Sequence, residues 1–443
     1  MRLRLTAFEE YMLADDRPAY PMDAYLRMRF SAGRFDRAAL AGAFEAALAR
    51  HPLATARVQC GASGRREWVA GPLGPPPVCW VIAPAADAYP PIQRAIDLRT
   101  QGGVRLLVAD RGDRSDLVLH YHHACCDGLG AFQVMTDLLR AYSGRMGVPL
   151  TGLPAAPRAG TLRRRGTFGL SAAAMLRMVP KQLVGLLGVR SFLQHRPLPL
   201  APARPCSADD PLPAGYPATV VRHLTPSELL GLRGAARRLG VTLNDLLTRD
   251  VFLALQEWRE RHYPEDGPGW LRLSLPVNLR GMSKLAFPAA NLVSMVFLDR
   301  RPQDMAEPDR LLRGIHAEMQ RIKNCRLGLT FVLALQAARM LPGGIARTVR
   351  ADRCAVSCVF SNFGEPLRDV PPGVGDGRLR VAGLVLEGVD ALAPMRPYTW
   401  AAFAALAYAG GMSLALHYDP RVLSPQQARD LADGFAARAQ NER

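Results

Sequence analysis

The run HHACCDG at residues 122–128 gathers two histidines, two cysteines, an aspartate and a glycine into seven positions. It could be a metal site, a catalytic base with its support, or a strand end whose polar residues are simply satisfied. The preceding DLVLHYHH (116–123) alternates as a strand, with Leu117, Leu119, Tyr121 and His123 on one face and Val118, His120 and His122 on the other. Adjacent histidines on opposite faces do not converge on one ion, and Cys125-Cys126 lacks the spacing of structural zinc, so no metal is expected. One imidazole at a strand end, titrating near neutral pH, suits a general base, a contribution typically of about 100- to 10,000-fold. Asp127 opens the next helix, where it either caps the helix or pairs with an arginine. Gly128 lets backbones approach closely where a side chain would block them.

The elements that must position this run can be read on either side. VRLLVAD (104–110) and DLVLHYHH read as a hairpin around RGDRS, and DGLGAFQVMTDLLRAYSG shows helical spacing through Phe132, Met135, Leu138 and Leu139. The motif therefore lies where a strand hands over to a helix. Upstream, LTAFEEYML reads as a helix, DAYLRMRFSAG as a strand, and DRAALAGAFEAALARHP as a helix capped by Asp36. After 215, TVVRHL is a strand. Two helices follow, one closed by Gly240 and the next capped by Thr242. LRLSLPVNLRG, NLVSMVFLD, CAVSCVFSNFG and LRVAGLVLEG read as strands, 308–323 and SPQQARDLADGFAARA as helices. The uncharged run Pro397–Tyr418 is long enough to span a bilayer, but Gly410-Gly411 divides it into two buried strands with a tight turn.

With 443 residues, 49% of them hydrophobic and 21% charged, the chain is globular and long enough for two domains or two halves of one fold. The expected division is 1–145, a crossover at 146–215, and 216–443. The net charge of +17 is concentrated: from Leu138 to Ala208 there is no Asp or Glu, against 11 Lys and Arg. An anionic partner is implied. Arg163–Arg165 sits in no readable nucleic-acid module, so a membrane surface or a phosphate-bearing co-substrate accounts for the charge better than nucleic acid. Within the segment, 169–194 is apolar on most of its circumference, with a basic stripe of Arg177, Lys181 and Arg190. Such a helix either lies in a membrane interface or packs the crossover onto the protein's own surface. The eight cysteines (60, 79, 125, 126, 206, 325, 354 and 358) have no CxxC spacing, and no secretory signal pattern opens the chain. A reduced, cytoplasmic protein is expected, peripheral to the inner membrane face if 169–194 binds lipid.

HHACCDG fits His-His-x-x-x-Asp-Gly in full, and in that it resembles the CoA-dependent acyltransferase superfamily: condensation domains of nonribosomal synthesis, polyketide-associated acyltransferases, and wax ester synthase/diacylglycerol acyltransferases. RHPLATARV (50–58) and IDLRTQGGVRLLV (96–108) resemble the early signatures. LNDLLTRDVFLAL, LPVNLRG, NLVSMVFL and SNFGEP resemble, in order, the Asn-Asp helix, the Pro-Val-x-x-Arg strand end, the Asn-x-x-Ser strand and the Ser-Asn-x-x-x-Pro turn of the wax ester synthase type. The chain departs from the condensation-domain pattern His-Pro-x-x-Arg, since Thr55 stands at the arginine's place after His51-Pro52, with Arg57 as the nearest substitute.

The resemblance implies an α/β fold of two similar chloramphenicol acetyltransferase-like halves, each a mixed sheet with helices, and an active-site tunnel between them. By position His123 is the general base, beside His122, and Asp127 is structural, with Arg280 its preferred ion-pair partner. Asn244, Asn291, Ser294, Ser361 and Asn362 become candidates for substrate or oxyanion contact. Each also has an ordinary structural reading, such as turn formation at Ser361-Asn362. The implied reaction moves an acyl group directly from acyl-CoA, a co-substrate rather than a bound cofactor, to an alcohol or amine. The alternatives are a condensation-type enzyme using donors tethered to an acyl carrier protein, and a catalytically silent binding module of the same fold.

Overall fold

The computed structural model describes residues 1–443 except 62–63, 71–77, 83–87, 93, 149, 151–156, 203–209, 268, 351, 371–376 and 442–443. Cys206 and Arg204 thus lie outside the described residues. Two six-stranded mixed sheets dominate. The first has the order Arg380–Val381, Leu384–Leu392, Asp23–Ser31, Ser115–His122, Val104–Asp110, Val78–Ile82. Its pairs are antiparallel except the last, where Val78–Ile82 runs parallel to Val104–Asp110. The second has the order Val293–Arg300, Leu271–Asn278, Cys358–Asn362, Ala401–Tyr408, Gly411–Tyr418, Ala218–Leu224. Within it Cys358–Asn362 is parallel to both neighbours. A small third sheet joins Arg2–Arg4, Arg66–Val69 and Arg57–Cys60.

Every residue of Ser115–His122 is buried, and the reason is visible in the two faces of its sheet. Leu117, Leu119 and Tyr121 enter a core shared with helices Arg37–Leu48 and Gly128–Arg145, while Val118 enters the core of the second half beside Tyr25 and Tyr216. A sheet covered on both sides reads as a nearly continuous apolar run, and its polar members need partners. His120 finds one in Asp23, Nε2 to Oδ2 2.7 Å. Helix starts follow the sequence signals: Thr6 with Glu9, Thr225 with Glu228 and Thr242 with Asp245 form reciprocal caps, and Asp36 caps Arg37–Leu48. The Pro397–Tyr418 run is the hairpin Ala401–Tyr408/Gly411–Tyr418.

Three expectations need correction. The division at 145 and 216 does not follow the sheets, because Arg380–Val381 and Leu384–Leu392 return to the first sheet, the latter pairing with Asp23–Ser31. The buried ion pair of Arg27 Nε with Asp390 Oδ1, 3.1 Å, fastens that return strand. LRVAGLVLEG is likewise two strands, turning at Ala382-Gly383, both at positive φ. The strand carrying the histidines stops at His122, so His123 belongs to the turn and strand alternation does not govern it.

Candidate functional site

The turn 123–127 is held by hydrogen bonds from several directions. The His123 N–H donates to Met22 O (2.6 Å), and the His122 N–H to Gly103 O (2.9 Å). The Asn291 amide Nδ2 donates to both His123 O (2.7 Å) and Ala124 O (2.9 Å). Met22 and Gly103 come from the first half and Asn291 from the second, so the turn sits at the seam between them. Asn291 therefore serves the backbone of the turn through its Nδ2, and its Oδ1 is buried without a partner.

His122 and His123 differ in burial and in their partners. His122 is fully buried, its Nδ1 accepting the Ala124 N–H (3.1 Å) and its Nε2 3.3 Å from Asp16 Oδ2. His123 is half-buried. Its Nδ1 is enclosed without an ordinary hydrogen bond, whereas its Nε2 is not enclosed. Desolvation pushes the imidazole below its ordinary value, against the opposing pull of the Asp127 charge, and the ring is neutral at pH 7.

Asp127 both caps the following helix and pairs with an arginine. Its Oδ1 accepts from the Gly130 N–H (2.8 Å) and Arg280 Nη2 (2.7 Å), and its Oδ2 from Arg280 Nη1 (2.8 Å) and the Leu292 N–H (2.8 Å). Burial alone would raise its carboxyl, but Arg280 and the two backbone donors outweigh it and hold the group below the usual carboxylate range. Arg280 follows Leu271–Asn278, and Leu292 precedes Val293–Arg300. These strands pair directly, Asn278 opposite Val293, which delivers Arg280, Asn291 and Leu292 side by side.

Two contributors escape sequence reasoning. A Cβ at Gly128 would lie 2.2 Å from Phe363 Cε1, so the glycine makes room for the aromatic ring of SNFGEP. His51 joins the halves as well: its Nδ1 accepts the Ala289 N–H (2.9 Å) and its Nε2 meets Asp137 Oδ2 (3.0 Å) on the helix after the motif. Phe363 and His51 lie within SNFGEP and RHPLATARV, and nothing else local in the sequence marks them. Thr55 ends the short helix Pro52–Thr55, and Arg57 has a buried, unpartnered Nε.

Of the remaining candidates, Asn244 and Asn362 form a pair. Asn362 Nδ2 donates to Asn244 Oδ1 (3.2 Å), and the Gly364 N–H closes on Asn362 Oδ1 (3.0 Å). Ser361 is buried opposite Ala404, and the Ser294 hydroxyl is buried without a partner. Among the described residues no hydrogen bond links these four to His123 or Asp127. Asn362 adjoins Phe363, the ring beside Gly128, and Ser294 lies two residues beyond Leu292, whose N–H reaches Asp127. Cys125 and Cys126 are buried, with Sγ atoms 3.8 Å apart. The Cys125 contact and burial hold the Cys126 thiol well above its ordinary value, which leaves it protonated. Among the described residues no group of three or more His, Cys, Asp or Glu side chains is placed to hold a metal ion.

No family model matches the chain. An uncharacterized protein of Mycobacterium tuberculosis is 27% identical over 393 residues, covering 84% of this chain and 85% of its own. Solved structures align over essentially the whole length. Polyketide synthase associated protein 5 from Mycobacterium tuberculosis gives a TM-score of 0.62 at 17% identity, over 98% of this chain and 97% of its own. The first condensation domain of the calcium-dependent antibiotic synthetase gives 0.67 at 15%, over 99% and 96%. The trichothecene 15-O-acetyltransferase of Fusarium sporotrichioides gives 0.65 at 13%, over 100% and 95%. The chain has the two-lobed fold of condensation domains and chloramphenicol acetyltransferase-like acyltransferases. At these identities the likeness concerns the fold, and the chemistry rests on the site.

Proposed function

We propose that the protein is an acyltransferase that moves an acyl group from an acyl-CoA thioester to an alcohol or amine, with His123 as general base. The observation that carries this is the half-buried imidazole of His123 on a turn fixed from both halves, where desolvation favours its uncharged form. In the proposed step Nε2 takes the proton from the acceptor hydroxyl or amine as its oxygen or nitrogen attacks the thioester carbonyl. The tetrahedral intermediate then expels the thiolate, the C–S bond breaks, and the proton on Nε2 passes to sulfur. No covalent enzyme intermediate and no bound cofactor is required. Asp127, Arg280 and Asn291 position the turn, and the Asn244–Asn362 pair with Ser361 and Ser294 offers polar groups for substrate or oxyanion.

Thiol release from acyl-CoA and from an acyl carrier protein thioester, each against a panel of alcohols and amines, tests the reading. Acyl-CoA turnover lost in His123→Ala is the expected result. Turnover only with the carrier-bound donor replaces acyl-CoA by a condensation-type donor. A folded protein inactive with both donors and all acceptors overturns the proposal in favour of a binding module.

A further inference from the structure

Helix Ala172–Gln194 is arranged inside out. In a surface helix such as Pro308–Asn324 the large apolar residues Leu311, Leu312, Ile315, Met319 and Ile322 face inward. In Ala172–Gln194 the only fully buried residues are Met178 and Gly185. Gln182 lies on the same side, its Oε1 accepting from Thr330 Oγ1 (2.8 Å) on helix Gly328–Arg339. A Cβ at Gly185 would lie 2.4 Å from that Thr330 hydroxyl, so the glycine sets how closely the two helices approach. At 100° per residue, Leu176, Val179, Leu183 and Leu187 fall on the opposite arc, and they are 72%, 52%, 64% and 63% exposed. This is a continuous apolar ridge turned to solvent, a feature that marks an interaction surface.

Charge selects what covers the ridge. Arg177 borders it, Lys181 falls between Arg177 and the packed Gly185 side, Arg190 lies at its C-terminal end, and all three are exposed and make no ion pair among the described residues. Some of the basic residues in the acid-free stretch 138–208 are used internally, as Arg165 is by Glu9 (2.7 Å). Those on this helix are not. An apolar ridge bordered by unpaired cations, with no acid in its own sequence, complements an anionic lipid surface. The helix is long and apolar enough to cross a membrane by length and composition. Yet one side is fastened lengthwise to Gly328–Arg339 and three charges interrupt it, which fits lying on a bilayer better than spanning one.

We propose that Ala172–Gln194 docks the protein on an anionic membrane surface, the Leu176–Leu187 ridge entering the acyl boundary and Arg177, Lys181 and Arg190 meeting headgroup phosphates.

Co-sedimentation of the full chain with phosphatidylcholine vesicles, with and without 30 mol% phosphatidylglycerol, tests this, and the readout is independent of acyl transfer. Wild-type protein should pellet with the anionic vesicles at low salt, and raised salt should release it. Arg177→Glu with Lys181→Glu should weaken partitioning roughly 30-fold or more, since each basic residue near such a surface is worth about fivefold and reversal adds repulsion. Leu183→Ser with Leu187→Ser should also reduce binding, on the order of 10-fold or more. Both pairs are exposed, and unchanged thermal melting verifies their folding. Wild-type protein that stays in the supernatant with anionic vesicles at low salt overturns the proposal, as does undiminished binding by both double variants. A concentration-dependent dimer that Leu183→Ser with Leu187→Ser dissociates, with vesicle binding unaltered, would instead make the ridge an interface between copies of the chain.

Discussion

The two halves each contain a hairpin whose second strand runs through a turn into a long helix, and each junction carries a histidine and an aspartate. In the first, Ser115–His122 leads to His123, Asp127 and helix Gly128–Arg145; in the second, Gly411–Tyr418 holds His417 and leads past Asp419 to helix Pro425–Asn441. Both aspartates are buried against an arginine. Asp419 uses Arg421, with Nε and Nη2 each at 2.9 Å, and accepts the Tyr20 hydroxyl at 2.6 Å. The imidazoles separate the junctions. His417 is fully enclosed, its Nδ1–H donating to Ala393 O (2.8 Å), and burial pushes it down to about 4. His123 has one nitrogen open. Residue types at a strand-to-helix junction therefore do not tell the two apart; the exposure of the imidazole does.

The largest effect that sharpens this contrast is on turnover. His123→Ala should lower kcat/KM by about 100- to 10,000-fold with an unchanged melting temperature, because a half-buried turn residue leaves no large cavity. His417→Ala should do the reverse, costing about 1–3 kcal/mol of stability and little activity. Equal activity losses in the two variants would erase the distinction.

Breaking the long-range ion pair comes next. Asp127→Asn or Arg280→Gln should each destabilise the protein by about 3 kcal/mol, since the survivor is left partly buried without its counter-charge. The double variant should be little worse than either single one, a coupling read from urea midpoints. Additive losses would mean that the contact carries no energy.

The two imidazoles should also separate in pH. A histidine whose folded value lies below its unfolded value of 6.5 binds fewer protons in the native state, so its contribution to stability is complete above 6.5 and is lost as pH falls. For His417 the loss runs from about 6.5 to about 4 and is on the order of 3 kcal/mol. His417→Ala should flatten the urea-midpoint profile in that window. The same direction of shift at His123 should place the acid limb of kcat/KM below 6.5. A limb above 6.5 would show that the base is another group or is not desolvated.

Much of this frame is legible in the sequence, and the reasons are local. Alternation, the RGDRS turn and the Asp127 cap are short-range signals, and they locate the strand, the turn and the helix. The Arg280 contact spans 153 positions, and only the resemblance to a known motif makes it a candidate. What a strand pairs with is not written in its own residues, so the return of Leu384–Leu392 to the first sheet is invisible, as is the domain boundary it blurs. A buried asparagine amide suits a ligand and a carbonyl equally well, so the sequence leaves Asn291 open between the two, and only the structure shows its Nδ2 on His123 O and Ala124 O. The strand ends one residue early, and that single position releases His123 from the face that alternation assigns it.

The smallest effect compares a glycine in each of the two helices. Gly128 begins the first beneath Phe363, and a Cβ there would overlap the ring at 2.2 Å. Gly434 lies within the second, and a Cβ there meets nothing within 4 Å. Gly128→Ala should therefore destabilise by about 1–3 kcal/mol through overpacking, and Phe363→Ala in the same chain should relieve that clash. Gly434→Ala should stabilise by about 0.5–1 kcal/mol, because a helical glycine with open space around it contributes only extra freedom to the unfolded chain. Thermal melts of the three variants decide it. If Gly128→Ala melts like the wild type, Phe363 is not held against the start of the helix, and the contact between SNFGEP and the His123 turn carries no constraint.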